Sequence, residues 1–326
     1  MGIGSSKVPI AGQVVIITGC DTGFGRDVAL QLSASPYSAI VYATCLTDAA
    51  VKDYERIKTE QGGRYSSTLR PRQLDVTNWA DVQKFAAKIE EECPEGIFCV
   101  INNAGINLGG LFSWTEVSEF QKVMDVNYMG TVHMMKALLP SLLRYVRKNP
   151  NSVLAPRIVN IASVAARTVA PILAAYCPSK HAVEAVSSAA RMDLAPLGIR
   201  VAVIEPWFAG TPMVLGGVEQ RLANLKSRFL TVPHREELGE SFLDTLVSQL
   251  GTPPPLTMDP KQVVDTILKT VEATEPSARQ VVGFIGAVVI FFVQLLPLTW
   301  IDRLATSRSP VLKSGLVRNG RQGRLL

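Results

Sequence analysis

Short apolar, β-branched runs that alternate with amphipathic stretches constrain this chain most. The first, QVVIIT at 13–18, ends in a glycine-rich turn, and others follow at 39–43, 71–75, 97–101, 157–161, 199–205 and 279–283. Between them, helical patterning covers 24–34, 48–61, 78–92, 115–147 with a break expected near Pro140, and 176–194. A strand that is apolar along its whole length is covered on both faces, and parallel strands need crossovers long enough for a helix. The expected fold is therefore α/β: a single doubly wound, Rossmann-type parallel sheet with helices on both faces. No repeat of 20–50 residues divides it. A flexible leader is expected at 1–11 and the domain at 12–283. The alternation is interrupted at about 212–258, where Pro253, Pro254 and Pro255 mark helices and loops outside the sheet, in position to form a lid.

The first turn reads Thr18, Gly19, Cys20, Asp21, Thr22, Gly23, Phe24, Gly25. Glycines let the chain turn sharply and let a pyrophosphate come close, and the following helix start offers free N–H groups to an anion. The strand before and the helix after supply the context such a turn requires.

A second constellation lies later. Tyr176 and Lys180 form a YxxxK pair, which places phenol and ammonium on one helix face. Pro178 is tolerated there only near a helix start. A phenol with a pKa near ~10 is a weak base at neutral pH. A neighbouring ammonium is expected to lower it. Ser163 closes the run at 157–161 and can hold a substrate oxygen. Asn127 can order water or backbone around the lysine. Each has a plainer reading: a helix-cap serine, a surface Tyr–Lys pair, an asparagine bonded to backbone.

The TGxxxGxG spacing, Leu74-Asp75-Val76-Thr77, Asn102-Asn103-Ala104-Gly105, Ser163 and the YxxxK pair together resemble the short-chain dehydrogenase/reductase family. Within it, ITGCDTGFG, ATCLT and YCPSKHAVEAVS resemble the branch of retinol, hydroxysteroid and D-beta-hydroxybutyrate dehydrogenases. The resemblance spans about 12–215 and continues loosely to about 302. It implies reversible alcohol–carbonyl interconversion with a nicotinamide cofactor and no metal. Ser163, Tyr176, Lys180 and Asn127 would be catalytic, with Lys180 also bonding the nicotinamide ribose. The cofactor would contact Thr18, Gly19, Asp21, Thr22, Gly23, Phe24 and Gly25. Asp75 and Val76 would meet its adenine, and Asn103, Ala104, Gly105, Pro206 and Thr211 would complete the set. The family has glycine after Pro206; here Trp207 stands in its place. No Lys or Arg occurs at 43–48 or at Thr22, so NAD is favoured over NADP.

Leu173, Phe208 and Met213 are the expected pocket walls, for a lipophilic retinoid or steroid alcohol or ketone. A 3-hydroxybutyrate-type acid would instead need a cation, with Arg221, Lys226 and Arg228 as candidates. A non-catalytic NAD-binding sensor or scaffold is the alternative of another class.

Residues 281–301 carry no charge, long enough to span a bilayer. Gln294, Pro297 and the overlap with the last strand favour instead an apolar segment at 284–302 lying in a membrane interface, with a buried core helix or dimer contact as the soluble alternative. The tail at 303–326 holds six basic residues and no acid; up to Ile301 the chain has no net charge, which excludes a nucleic-acid-binding body. Five cysteines without a CxxC indicate free thiols and an intracellular setting. MGIGSS at the start fits N-myristoylation at Gly2. A homo-oligomer is compatible with the resemblance.

Overall fold

Strands that are apolar on both faces need cover on both, and alternate residues of the central strands do enter two different cores. Val15 and Ile17 join one cluster with Val28, Leu32 and Ile267, whereas Ile16 joins another with Phe85, Ile89 and Leu138. The computed structural model describes residues 9–65, 67–215 and 256–307, and in addition 223, 226, 227, 229, 230 and 244. The myristoylation pattern at Gly2, most of the expected lid and the basic tail beyond 307 lie outside the described residues.

The strands are β1 (Val14–Ile17), β2 (Ile40–Cys45), β3 (Leu69–Gln73), β4 (Cys99–Asn102), β5 (Arg157–Ile161), β6 (Arg200–Pro206) and β7 (Arg279–Val282). All pair in parallel, in the order β3-β2-β1-β4-β5-β6-β7. The helices are α1 (Gly23–Ser33), α2 (Asp48–Glu60), α3 (Trp79–Glu92), α4 (Val117–Met124), α5 (Gly130–Lys148), α6 (Tyr176–Leu194), α7 (Pro212–Leu215), α8 (Pro260–Glu272), α9 (Phe284–Leu295) and α10 (Leu298–Ser307). The chain runs outward from β1 in one direction through β2 and β3, then returns to the other side of β1 with β4. At such a reversal, the crossovers leave in opposite directions and open a crevice at the strands' C-terminal ends.

Three expectations shift. β3 lies two residues before the expected 71–75: it begins at Leu69, opposite Val41, and ends at Gln73, opposite Cys45, the last residue of β2. Pro71 is tolerated within it because β3 is an edge strand. The break expected near Pro140 is absent: α5 runs through it. Pro140 and Lys136, whose carbonyl loses its partner, both face solvent, so water can take up the unmet bond. The helical path is interrupted instead at Asp125–Met129, a π turn that carries Asn127 inward. Third, the uncharged run is not one helix. It is shared among β7, the 12-residue α9 and α10, with Leu296 and Pro297 ending α9. Among the described residues no helix is long and apolar enough to cross a membrane.

Candidate active site

The glycine turn is held by bonds that reach across the strand reversal. Thr18 Oγ1 accepts from the backbone N–H groups of Asn103 and Ala104, both at 3.0 Å. Asn103 Nδ2 returns the contact, donating to Thr18 O at 2.9 Å and Gly19 O at 3.0 Å. The β1 and β4 ends are thereby fastened side by side. Gly19 has φ +68° and leaves no room for a side chain, since a Cβ would stand 2.7 Å from Ala104 Cα. A Cβ on Gly25 would stand 2.4 Å from Gly19 O. Both clashes are with backbone, so packing requires glycine at both positions, and at Gly19 the positive φ requires it as well.

α1 then begins with its N-terminus open. Thr22 makes no side-chain capping bond and no acid stands in the first turn. Free N–H groups and the positive end of the helix dipole together suit a pyrophosphate, and the glycines beside them carry no side chain of their own to bar its approach. The residues present therefore fit the phosphate portion of a dinucleotide. Asp21 turns away from that helix start and accepts from Leu46 N–H (2.8 Å), Thr47 N–H (3.0 Å) and Thr47 Oγ1 (2.8 Å), fixing the turn after β2. Asp75 is tied to Thr77 N–H at 2.9 Å and to its hydroxyl at 2.7 Å. The nearby cation, Arg26, is engaged elsewhere: it pairs with Asp53 at 2.6 Å and lies over the Tyr54 ring.

The second constellation gathers at the ends of β5 and β6. Ser163 caps the short turn Val164–Ala166, its Oγ accepting from Ala165 N–H at 3.1 Å. Tyr176 opens α6, and Lys180 follows one turn on, with Nζ 5.8 Å from the Tyr176 ring centre. Lys180 is buried and donates to Ile161 O at 2.8 Å. Asn127 reaches none of these directly. Its Oδ1 accepts from Ile106 N–H at 2.8 Å, and its Nδ2 donates to Ile106 O at 3.0 Å and Ser179 Oγ at 2.9 Å. Ser179 in turn donates to Tyr176 O at 2.7 Å. Asn127 thus fixes the chain just beyond Gly105 and, through Ser179, the first turn of α6. Ser179 was not singled out from the sequence, although it stands inside the YxxxK pair.

The electrostatics reverse one expectation. Burial pushes the Tyr176 phenol up to about 12, against the lowering effect of its hydrogen bond with Ser163. Burial also brings the Lys180 ammonium down to about 8. In the protein alone, the low-dielectric surroundings penalise the phenolate more than its neighbours favour it.

These groups face one cleft of about 920 Å³ along the C-terminal ends of the strands. Gly19, Asp21, Thr22, Gly23, Phe24, Asp75, Val76, Asn103, Ala104 and Gly105 line one end. Ser163, Tyr176, Lys180, Pro206 and Thr211 line it too, as do Leu173, Phe208 and Met213. Thr18, Gly25 and Asn127 do not: they lie behind the wall, where the first two pack the turn and the third braces the loop. Lys122 of α4 and Val289 of α9 belong to the lining but to no recognisable motif. Of the candidate lid cations, Lys226 is exposed, and Arg221 and Arg228 lie outside the described residues.

Comparison with known proteins points the same way. A family model described as short chain dehydrogenase matches residues 13–221. Human retinol dehydrogenase 5 is 33% identical over 305 residues, covering 92% of this chain and 90% of its own. The mitochondrial D-beta-hydroxybutyrate dehydrogenase of Bos taurus is 31% identical over 286 residues, covering 84% of this chain and 78% of its own. Among solved structures, a short chain dehydrogenase from Burkholderia cenocepacia J2315 in complex with NADP superposes with a TM-score of 0.66 over 91% of this chain and 99% of its own; at 24% identity the likeness is one of fold.

Proposed function

We propose a substrate class and a cofactor from one premise: this chain belongs to the short chain dehydrogenase family and is a nicotinamide-dependent alcohol–carbonyl oxidoreductase. The substrate is a lipophilic alcohol or ketone of retinoid or steroid bulk, and the cofactor is NAD rather than NADP.

The observation that carries the substrate is the composition of the far wall. Beyond Ser163 and Tyr176 the cleft is lined by Leu173, Trp207, Phe208, Met213 and Val289. Such a surface gains from burying apolar area and offers little to a small charged acid. The cofactor rests on charge. A 2′-phosphate calls for a cation at the β2 end. There Asp21 holds the turn, and Arg26 is held away by Asp53 and Tyr54.

The chain's own groups divide the work. Ala165 N–H occupies one lone pair of Ser163, and the hydroxyl, which bonds the Tyr176 phenol in the protein alone, would turn its proton to the substrate oxygen once that oxygen enters. Tyr176 takes the alcohol proton during oxidation and returns it during reduction. A phenol held up to about 12 needs a positive charge beside it to work near neutrality, and Lys180 is fixed one turn away by Ile161 O. Asn127 keeps the loop at 105–106 from drifting into this space. The nicotinamide, when bound, accepts the electron pair that leaves the alcohol carbon.

One observation favours a second substrate reading. Lys122 lines the same cleft and could meet a carboxylate, as a 3-hydroxybutyrate-type acid would require. A panel of a retinol, a hydroxysteroid and 3-hydroxybutyrate, each with NAD and with NADP, separates the two. The expected result is turnover of a lipophilic alcohol with kcat/KM at least tenfold higher for NAD. Preferential turnover of 3-hydroxybutyrate, lost on Lys122→Ala, would give the site to the hydroxy acid. Equal use of NADP would contradict the charge argument.

A further inference from the structure

The uncharged C-terminal run returns to the reaction centre. α9 begins after Gly283, whose φ of +101° swings the chain out of β7 and back across the cleft mouth. Its inward stripe is Gly286, Val289 and Ile290: Gly286 and Ile290 are buried and Val289 lines the cleft. The opposite face carries Phe284, Phe291 and Leu295, all exposed.

Contact is closest at Gly286. A Cβ there would stand 3.1 Å from Val164 Cγ1, 3.3 Å from Trp207 Cβ and 3.4 Å from Trp207 Cε3. Val164 follows Ser163 directly, and Trp207 follows Pro206. The helix is therefore pressed onto both sides of the reaction centre at a point where a side chain fits only if its neighbours yield by a few tenths of an ångström. A Cβ on Gly283 would meet the same residue, 3.1 Å from Trp207 Cβ. The indole stands edge-on to Phe208 with ring centres 5.2 Å apart. Its Nε1 is shielded from solvent and has no hydrogen-bond partner among the described residues, so shape rather than polarity holds the ring in place.

We propose that α9 is the outer wall of the alcohol site and that the Trp207–Gly286 contact sets the bulk of alcohol admitted. The inference rests on reading the cleft as an alcohol site. Trp207 fills space in the cleft where the resembled family has glycine, and Gly286 lets the helix close over it. The two act on one gap from opposite sides. Shortening Trp207 deepens the cleft. Adding a side chain at 286 lifts the wall unless Trp207 has been shortened too.

The test compares kcat/KM for a small secondary alcohol and a fused-ring hydroxysteroid in wild type, Trp207→Ala, Gly286→Leu and the double variant. NADH affinity and the thermal transition are followed alongside. Trp207→Ala is expected to shift preference toward the bulkier alcohol at least tenfold, a range that apolar pockets discriminate by size. Gly286→Leu should depress turnover of both, and the double variant should recover most of that loss, a coupling that independent structural damage would not produce. Should Gly286→Leu or Trp207→Ala fail to fold, Gly286→Ala and Trp207→Leu report the same ratio and the same coupling. Alcohol turnover with an unshifted preference and additive effects would overturn the inference alone. Absence of alcohol turnover by wild type that still binds NADH would overturn the reading of the cleft and the inference with it.

Discussion

At the end of the cleft proposed for the cofactor, Gly19 and Gly25 bring backbone against backbone, and Thr18, Asn103 and Asp21 tie the turns with hydrogen bonds. At the alcohol end Leu173, Trp207, Phe208 and Val289 form the wall by bulk alone. The first end tolerates little change, because its backbone contacts leave no room and its hydrogen bonds are directional. The second can be reshaped by altering a side chain, because dispersion and burial are not directional. One scaffold can thus keep a fixed cofactor seat and a variable substrate pocket.

Paired substitutions distinguish the two ends of the cleft. The largest effect belongs to Gly25→Val, whose side chain has to displace Gly19 O and Asn103 Nδ2. NADH affinity, followed by energy transfer from tryptophan, should fall about a hundredfold or more, the scale of losing ~3 kcal/mol. Phe208→Ala should leave it within about threefold while altering KM for the alcohol. Comparable losses from both would show that the two ends are not built differently.

Lys180→Met sharpens the electrostatic side. An ordinary lysine near 10.5 is brought down to about 8 here, so the unfolded chain binds this proton more tightly than the folded one. Stability then rises with pH once pH passes the folded value. Tyr176, held up to about 12 against an ordinary 10, turns the dependence the other way above pH 10. Between pH 8 and 10 Lys180 should therefore add roughly 2–3 kcal/mol. Urea unfolding at both pH values should show that increment in wild type and its absence in Lys180→Met.

Smaller effects follow at the edges. Asp21→Ala removes the acceptor for Leu46 and Thr47 and should raise KM for NAD about fivefold, at a cost in stability of about 1 kcal/mol. Phe291→Ser changes a residue that is 61% exposed. The thermal transition should hardly move. Co-sedimentation with anionic vesicles should fall severalfold if the aromatic face of α9 seats on lipid, and should stay unchanged if it does not.

What could be read without coordinates follows the same division. β5 and α6 occupy the spans expected of them, 157–161 and 176–194, since an apolar run and an i,i+4 face are local patterns. The glycine turn and the Tyr176–Lys180 pair were legible because their chemistry imposes spacing. The positions of Asn127 and Thr18 were legible but their partners were not: Asn127 bonds Ile106 and Ser179, and Thr18 bonds Asn103 and Ala104, because a motif names a position and not the direction of a side chain. Pro140 misled because its cost depends on which helix face it occupies. Lys122 and Val289 left no signal: a wall of bulk has no spacing rule, and Val289 arrives from a helix more than a hundred residues beyond Tyr176.

On the proposed reading, Tyr176 moves the proton while the alcohol carbon gives its hydrogen to the cofactor in this cleft. Turnover of an alcohol deuterated at the carbinol carbon, with mass analysis of the reduced cofactor, tests it most directly. One deuterium should appear in the reduced nicotinamide with wild type. With Tyr176→Phe transfer should fall by at least a thousandfold while NAD affinity stays within about twofold. Wild-type turnover without deuterium in the cofactor, or full transfer by Tyr176→Phe, would contradict the account.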